Sequence, residues 1–385
     1  MERIPAHVEA RVEPLMAFLR ELVECESPSD DAAAVRRCQE LFAERVSDIA
    51  DTRLVDCGAG FGPALRVDFR LPGPRRKLGE GILAVGHNDT VWPVGTLARM
   101  PFRQSDGRLW GPGVLDMKAG LAFFVYAMRA LIELDLPVRR SVRLWIVPDE
   151  ETGSHGSRAL TEKLALGSRA VLVPEPGTGL DGRLKTARKG IGCYRLAVKG
   201  VASHSGVDFA AGASAILELG RQLERVAALT DLKRGTTLNP GVIRGGSRVN
   251  VVAAEAEAEI DLRVVRLRDA DAVDRKLRAL KPVDERCALT LTGGINRPPM
   301  ERTAGVVQLF RTAKALAKRH LGLAIEESAT GGGSDGNFTA ALGVPTLDGI
   351  GAVGEGAHAP HESILVDRIA DRTALLALLT HTLGQ

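Results

Sequence analysis

The apolar positions along this chain follow two alternating rhythms. Residues 12–24, VEPLMAFLRELVE, and 30–46, DDAAAVRRCQELFAERV, repeat apolar side chains at helical spacing, with Ser29 or Asp30 placed to cap the second helix. GILAVGH (81–87) is an unbroken apolar run and reads as a buried strand. KAGLAFFVYAMRALIEL (118–134) is apolar on almost every side, which predicts a long, well-buried helix. SVRLWIVPDE (141–150) predicts a strand, SRALTEKLAL (157–166) a helix and AVLVPEP (170–176) another strand. Strands alternating with helices specify an α/β domain with a mostly parallel sheet. Such sheets bind ligands beyond the carboxyl ends of their strands.

The rhythm changes near residue 190. CYRLAVKGVA (193–202) predicts a strand and AGASAILELGRQLERVAAL (211–229) an amphipathic helix. TTLNPGVIRGG (236–246) and NVVAAEAEAEIDLRVV (250–265) predict two more strands, the second alternating apolar with acidic. AVDRKLRAL (272–280) predicts a helix and CALTLTGG (287–294) a last strand. The order βαββαβ is the ferredoxin-like split arrangement. A long helix then resumes at VVQLFRTAKALAKRHL (306–321), followed by GVPTLDGIG (343–351) and a closing helix, IADRTALLALLTHTL (369–383). The organisation expected is a discontinuous α/β domain of residues 1–188 and 300–385, interrupted by a ferredoxin-like domain of residues 189–299.

Composition narrows the class. A chain of 385 residues is too long for one ordinary core. Its 51 basic and 48 acidic side chains nearly cancel, leaving +3, so nothing argues for a polyanion partner. PGPRRK (72–77) is short and flanked by Pro and Gly; it reads as a solvated loop rather than a nucleic-acid site. Five cysteines (Cys25, Cys38, Cys57, Cys193 and Cys287) lie dispersed with no CxxC pair, as reduced thiols do. The first residues lack the apolar core of a signal peptide, and no uncharged stretch reaches membrane-spanning length. A soluble cytoplasmic protein is expected, with no nucleic-acid or membrane partner.

The candidate chemistry sits where the predicted strands end. GILAV runs into Gly86-His87-Asn88-Asp89, SVRLWIV into Pro148-Asp149-Glu150-Glu151, and AVLV into Pro174-Glu175-Pro176. Asp116 precedes the buried helix, and His358 and His361 lie in GEGAHAPHESI (354–364). Each alone has a plain reading: His87 as a surface or capping residue, Glu150-Glu151 as ion-pairing surface carboxylates. Together they differ, because the topology brings these ends to one edge of one sheet. Clustered carboxylates raise one another's pKa values. A divalent metal is the simplest means of keeping them ionised, and two His with several Asp and Glu suit zinc, with cobalt or manganese as substitutes.

GHNDTV, GPGVLDMKAG, PDEETGS, EP, SHSG, RVNVV and GGGSDG, in this order and at these separations, resemble the M20 metallopeptidases, and within them the carboxypeptidase G2-like branch. The resemblance spans nearly the whole chain. It implies a zinc-peptidase-like α/β catalytic domain carrying two zinc ions, with the ferredoxin-like insert as a lid and dimerisation domain. It implies that His87 and Glu175 hold one metal, Glu151 and His358 the other, and that Asp116 bridges both, with a cis peptide at Asp116-Met117. Asp89 would hydrogen-bond His87 and fix its tautomer. Glu150 would be the general base, taking a proton from water and passing it to the leaving amine.

In the insert, His204 has a plain reading as a surface residue; the resemblance makes it an oxyanion donor reaching across from the lid of a partner subunit. Asn250 and Arg263 are placed in the central strands of the insert. Arg263 is either a salt-bridge partner for Glu257, Glu259 or Asp261 or, by resemblance, a ligand for the substrate carboxylate. Arg297 is a weaker candidate for the same task. Gly331-Gly332-Gly333-Ser334 could cradle a carboxylate with backbone N–H groups; no Lys follows, which argues against a phosphate loop.

Two departures stand out. His361 occupies a position where an Asp is usual, and the spacing selects His358 as the ligand. Val207-Asp208-Phe209 lacks the more usual proline-containing pattern, which leaves substrate identity open. The expected activity is a di-zinc amidohydrolase of carboxypeptidase type, releasing a C-terminal amino acid with glutamate as the first candidate. An aminoacylase acting on N-acyl amino acids is the rival enzyme. A non-catalytic amino-acid- or peptide-binding homologue is the rival of another class; it predicts loss of Glu150 or of a ligand, and all are present.

Overall fold

The computed structural model describes residues 1–74 and 80–385. Arg75, Arg76 and Lys77, on which the solvated-loop reading of residues 72–77 rests, lie outside the described residues. The chain divides into two compact units. One comprises Met1–Ala187, Arg302–Thr330 and Ser334–Gln385; the other comprises Arg188–Glu301 with Gly331–Gly333.

The first unit is built on an eight-stranded sheet in the order Ala50–Val55, Ala64–Phe69, Val142–Val147, Gly81–His87, Ser168–Val173, Thr346–Asp348, Leu184–Arg188 and Glu327–Thr330. The strands from Val142–Val147 to Thr346–Asp348 run parallel. The unbroken apolar run at 81–87 has a direct cause: Ile82 and Ala84 enter one core, and Leu83 and Val85 enter another on the opposite face. The larger core also takes up the helices Val12–Glu24, Ala119–Glu133 and Ile369–Leu383. A strand buried on both faces has no polar positions to alternate with.

The sheet is more mixed than the apolar runs suggest. Ala50–Val55 and Ala64–Phe69 form an antiparallel pair at its edge, and Ala64–Phe69 is antiparallel to Val142–Val147. Ala50–Val55 leaves much of its length exposed, so it shows no apolar run. A second, small antiparallel sheet joins Gly354–Glu355, Ser363–Leu365, Arg108–Trp110 and Arg103–Ser105, strands too short for periodicity to register. Neither Ser29 nor Asp30 caps the helix Ala32–Arg45. Asp31 does, accepting hydrogen bonds from the Ala33 and Ala34 N–H groups at 3.0 and 2.9 Å.

The second unit has the split arrangement read from the pattern. Its four antiparallel strands lie in the order Thr237–Gly245, Glu255–Val264, Gly190–Lys199, Ala288–Arg297, with helices Ala215–Ala227 and Leu267–Arg278. Along Glu255–Val264, Ala256, Ala258, Ile260, Leu262 and Val264 enter the core while Glu257, Glu259, Asp261 and Arg263 lie on the other face. Asn250 falls outside this strand. It lies in an exposed turn, where Val251 forms an isolated bridge with His204 and the chain reaches Glu255 before the ladder begins.

Candidate metal centre

Three adjacent parallel strands deliver the site. Gly81–His87 ends on His87 itself, Val142–Val147 leads into Asp149, Glu150 and Glu151, and Ser168–Val173 leads into Glu175. Because the strands are parallel, their carboxyl ends share one edge of the sheet. Asp116 comes to the same place in an irregular turn, Val114–Lys118, ahead of the helix Ala119–Glu133. The Asp116-Met117 peptide is cis. His358 sits in a turn with φ of 61°, a left-handed conformation uncommon outside glycine and often found where function demands it.

Asp116 is the centre of the cluster. Its Oδ1 lies 3.3 Å from His87 Nε2 and its Oδ2 lies 3.5 Å from His358 Nε2. His87 Nε2 is also 3.5 Å from Glu175 Oε1, and His358 Nε2 is 3.0 Å from Glu151 Oε1. One carboxylate thus faces two imidazoles, each with a second carboxylate of its own. Ligand atoms of His87, Asp116 and Glu151 all fall within 4.8 Å of one another.

The electrostatics follow from burial. Burial disfavours a charged His87, yet hydrogen bonds to Asp116, Asp89 and Glu175 lift its pKa well above the ordinary histidine value. Asp116 and Glu151 lift His358 to about 10 against the opposing effect of burial. Burial pushes Asp116 upward, but His358 and His87 more than offset it and hold that carboxyl well below the usual carboxylate range. Burial raises Glu151. The cluster therefore gathers negative charge that calls for cations, and protonated imidazoles fill that role. Three carboxylates and two imidazoles at these separations also form a donor set that fits divalent ions.

Asp89 braces both sides of this edge. His87 Nδ1 lies 2.9 Å from the Asp89 backbone carbonyl and 3.5 Å from its Oδ1, so the carbonyl is the nearer acceptor. An Nδ1–H donated there leaves Nε2 to face Asp116 and Glu175. The fully buried Asp89 carboxylate accepts the N–H groups of Glu150 and Glu151, both at 3.2 Å, and the Ser29 hydroxyl at 2.7 Å. It thereby fixes the short turn Glu150–Thr152, in which Glu151 turns to His358 and Glu150 is half-buried beside it. Asp149 anchors the far end of that turn, accepting the Gly156 N–H at 2.6 Å.

The remaining sequence-derived residues fall elsewhere. His361 is exposed and His358 is the one that reaches the cluster. His204, Asn250, Arg263, Arg297 and Gly333 belong to the second unit. His204 and Asn250 are both exposed, and His204 Nδ1 accepts the Gly206 N–H at 3.1 Å. Arg263 pairs with Asp261 at 2.9 Å, the plain salt bridge among its sequence readings, and also donates to the Gly331 carbonyl. Arg297 is buried, with 4 % of its surface exposed. Ser334 is fully buried; its hydroxyl donates to Asp348 at 2.6 Å and its N–H to Asn337 Oδ1 at 3.0 Å. Those two Ser334 groups are engaged within the chain. One contributor carried no sequence signal for its role here: Ser29, which reads in the sequence as a helix cap.

Comparison with known proteins agrees with this geometry. The sequence profile of peptidase family M20/M25/M40 matches residues 83–382. Carboxypeptidase G2 of Pseudomonas sp. (strain RS-16) is 28% identical over 377 residues, covering 95% of this chain and 88% of its own. The structure of the aminopeptidase PepT from Bacillus cereus superposes with a TM-score of 0.81 at 23% identity, over 97% of this chain and 99% of that one. A dinuclear metal-binding peptidase of family M20 from Bacillus subtilis gives a TM-score of 0.70 at 15% identity, over 97% and 99% of the two chains.

Proposed function

This chain belongs to peptidase family M20/M25/M40 and is a metallohydrolase of that family, and we propose that it uses two divalent ions, zinc in the first instance, to cleave the amide bond to a C-terminal amino acid. The observation that carries the reading is Asp116, whose two oxygens face His87 and His358 separately. His87 and Glu175 would hold one ion, His358 and Glu151 the other, with Asp116 shared. Cobalt or manganese would be accommodated by the same donors. The ions would supply a polarised amide carbonyl and a water of lowered pKa.

Glu150 does the proton work in this reading. It lies three residues beyond the end of the strand Val142–Val147, its N–H is held by Asp89, and its neighbour Glu151 is committed to His358. Glu150 accepts the proton of the attacking water and returns it to the leaving nitrogen. Asp89 keeps Glu150, Glu151 and His87 in register. The substrate's free carboxylate is assigned to Arg297 and Arg263, with Asn250 and Gly333 as further candidates; Ser334 is set aside because its N–H and hydroxyl are both engaged within the chain. Arg263 would have to exchange Asp261 for it. Similarity to carboxypeptidase G2 over nearly the whole chain supports carboxypeptidase chemistry, with glutamate as the first amino acid to test.

A homodimer through the second unit is part of the same reading, with His204 donating to the oxyanion in the partner's site. Ile216, Leu217 and Ile243 of that unit are 45%, 59% and 61% exposed, which supports an apolar contact surface. A cytoplasmic location is also proposed; it is supported by five free cysteines. Among the described residues no helix is long and apolar enough to cross a membrane.

The test is amino-acid release from N-acyl amino acids and glutamyl conjugates, before and after zinc is returned to metal-free protein. Restored release that favours glutamyl conjugates supports the carboxypeptidase. Equal release across simple N-acyl amino acids would favour an aminoacylase. No release from any substrate, with both ions bound, would favour a binding protein.

A further inference from the structure

We infer that Glu362 is the positioning residue of the metal centre, tying together three loops that carry ligands. This rests on the two-ion reading above and extends it to a side chain that reaches neither the ions nor substrate in that reading. Glu362 is 1% exposed. Its Oε1 accepts the N–H groups of Leu115 at 2.9 Å and of Asp116 itself at 3.1 Å. Its Oε2 accepts the Gly113 N–H at 2.9 Å and the Trp92 indole N–H at 2.9 Å. Trp92 follows Asp89 on the His87 loop, Gly113–Asp116 is the loop of the shared carboxylate, and Glu362 closes the turn that bears His358.

The physical need is plain. Asp116 and Met117 have non-helical dihedrals, so the turn cannot satisfy its own N–H groups through a regular helix. Four donors converge on one buried point, and only a group with two acceptor oxygens and no hydrogens of its own satisfies them all. The small sheet fixes where that group comes from. Ser363 lies opposite Trp110 in the ladder, so Glu362 is delivered to the start of the Asp116 loop. Moving Glu362 would shift the Asp116 N–H and, through the backbone, the carboxylate that both imidazoles face. His358, four residues before Glu362, would shift with it.

The measurement is zinc titration of the full-length, metal-stripped protein by calorimetry, with wild type, Glu362→Gln and Glu362→Asp compared. Glu362→Gln sets an amide NH2 against N–H donors, and Glu362→Asp shortens the reach while keeping the charge. We expect folded variants with unchanged circular dichroism, altered Trp92 emission, and zinc affinity at the His358 side lowered about ten- to hundredfold. Turnover should return at saturating zinc. If Glu362→Gln fails to fold, Glu362→Asp carries the comparison. A folded variant with both zinc affinities within twofold of wild type would overturn the inference, even if its Tm were lower. Wild-type protein that binds no zinc would instead contradict the two-ion reading itself.

Discussion

At the scale of single residues, the site is a matter of which side chain reaches Asp116. His358 does, and His361 is exposed nearby. Replacing His358 with Ala should reduce bound zinc from two ions to about one, while His361→Ala should leave two; metal analysis of the purified variants decides it. The same geometry sets the sign of a pH dependence. In the metal-free protein His358 keeps its proton up to about pH 10, and His87 is also held well above the ordinary histidine value. Ions must displace those protons, so affinity should rise with pH from 6 to 8, by roughly tenfold per unit for each proton displaced. Calorimetry in buffers of different ionisation enthalpy should report proton release. A flat affinity with no release would contradict the charge balance described.

The candidate ligands were legible in sequence because each stands at the end of a strong apolar run or in a distinctive motif. The roles of Ser29 and Glu362 were not. They depend on through-space partners sixty and more than two hundred residues away, Asp89 and the Asp116 loop. No local pattern marks such a partner.

At the scale of elements, the packing of the helix Ala119–Glu133 against the end of the strand Ser168–Val173 is the critical contact. A Cβ on Gly120 would stand 1.7 Å from the Pro174 carbonyl oxygen, one residue before the candidate ligand Glu175. Gly120→Ala must therefore push the helix and strand end apart. We expect a loss of about 1–3 kcal/mol or more in stability, seen as a lower Tm, and weaker zinc binding in the folded fraction. Normal stability and normal zinc affinity would show that this contact does not set the site. Element type was legible where burial was uniform, as at 81–87 and 118–134. Ala50–Val55 and the short strands around Trp110 and Ser363 were missed because half-exposed or three-residue strands leave no period to read, whereas Ala64–Phe69 was missed although Leu65, Val67 and Phe69 alternate with Arg66 and Asp68. Asn250 was misplaced for a related reason: the apolar residues before Glu255 extend the strand pattern beyond where the ladder begins.

At the scale of the whole molecule, the change of rhythm near residue 190 and its return near 300 mark two folding units that the structure separates at Arg188 and Arg302. The three residues Gly331–Gly333 join the second unit, a detail that no composition shift announces. The proposed dimer belongs to this scale as well, and light scattering at micromolar concentration should give twice the 41.0 kDa chain mass. A fully active monomer would remove His204 from the catalytic set.

The central claim is that metal binding and proton transfer are carried by different residues at one strand edge. The measurement that tests it most directly is zinc content and amide-hydrolysis rate on the same preparations of wild type and Glu150→Gln. The account predicts two zinc ions in both and a rate lowered about 10²- to 10⁴-fold in the variant. Substantial turnover by Glu150→Gln with both ions in place would contradict it.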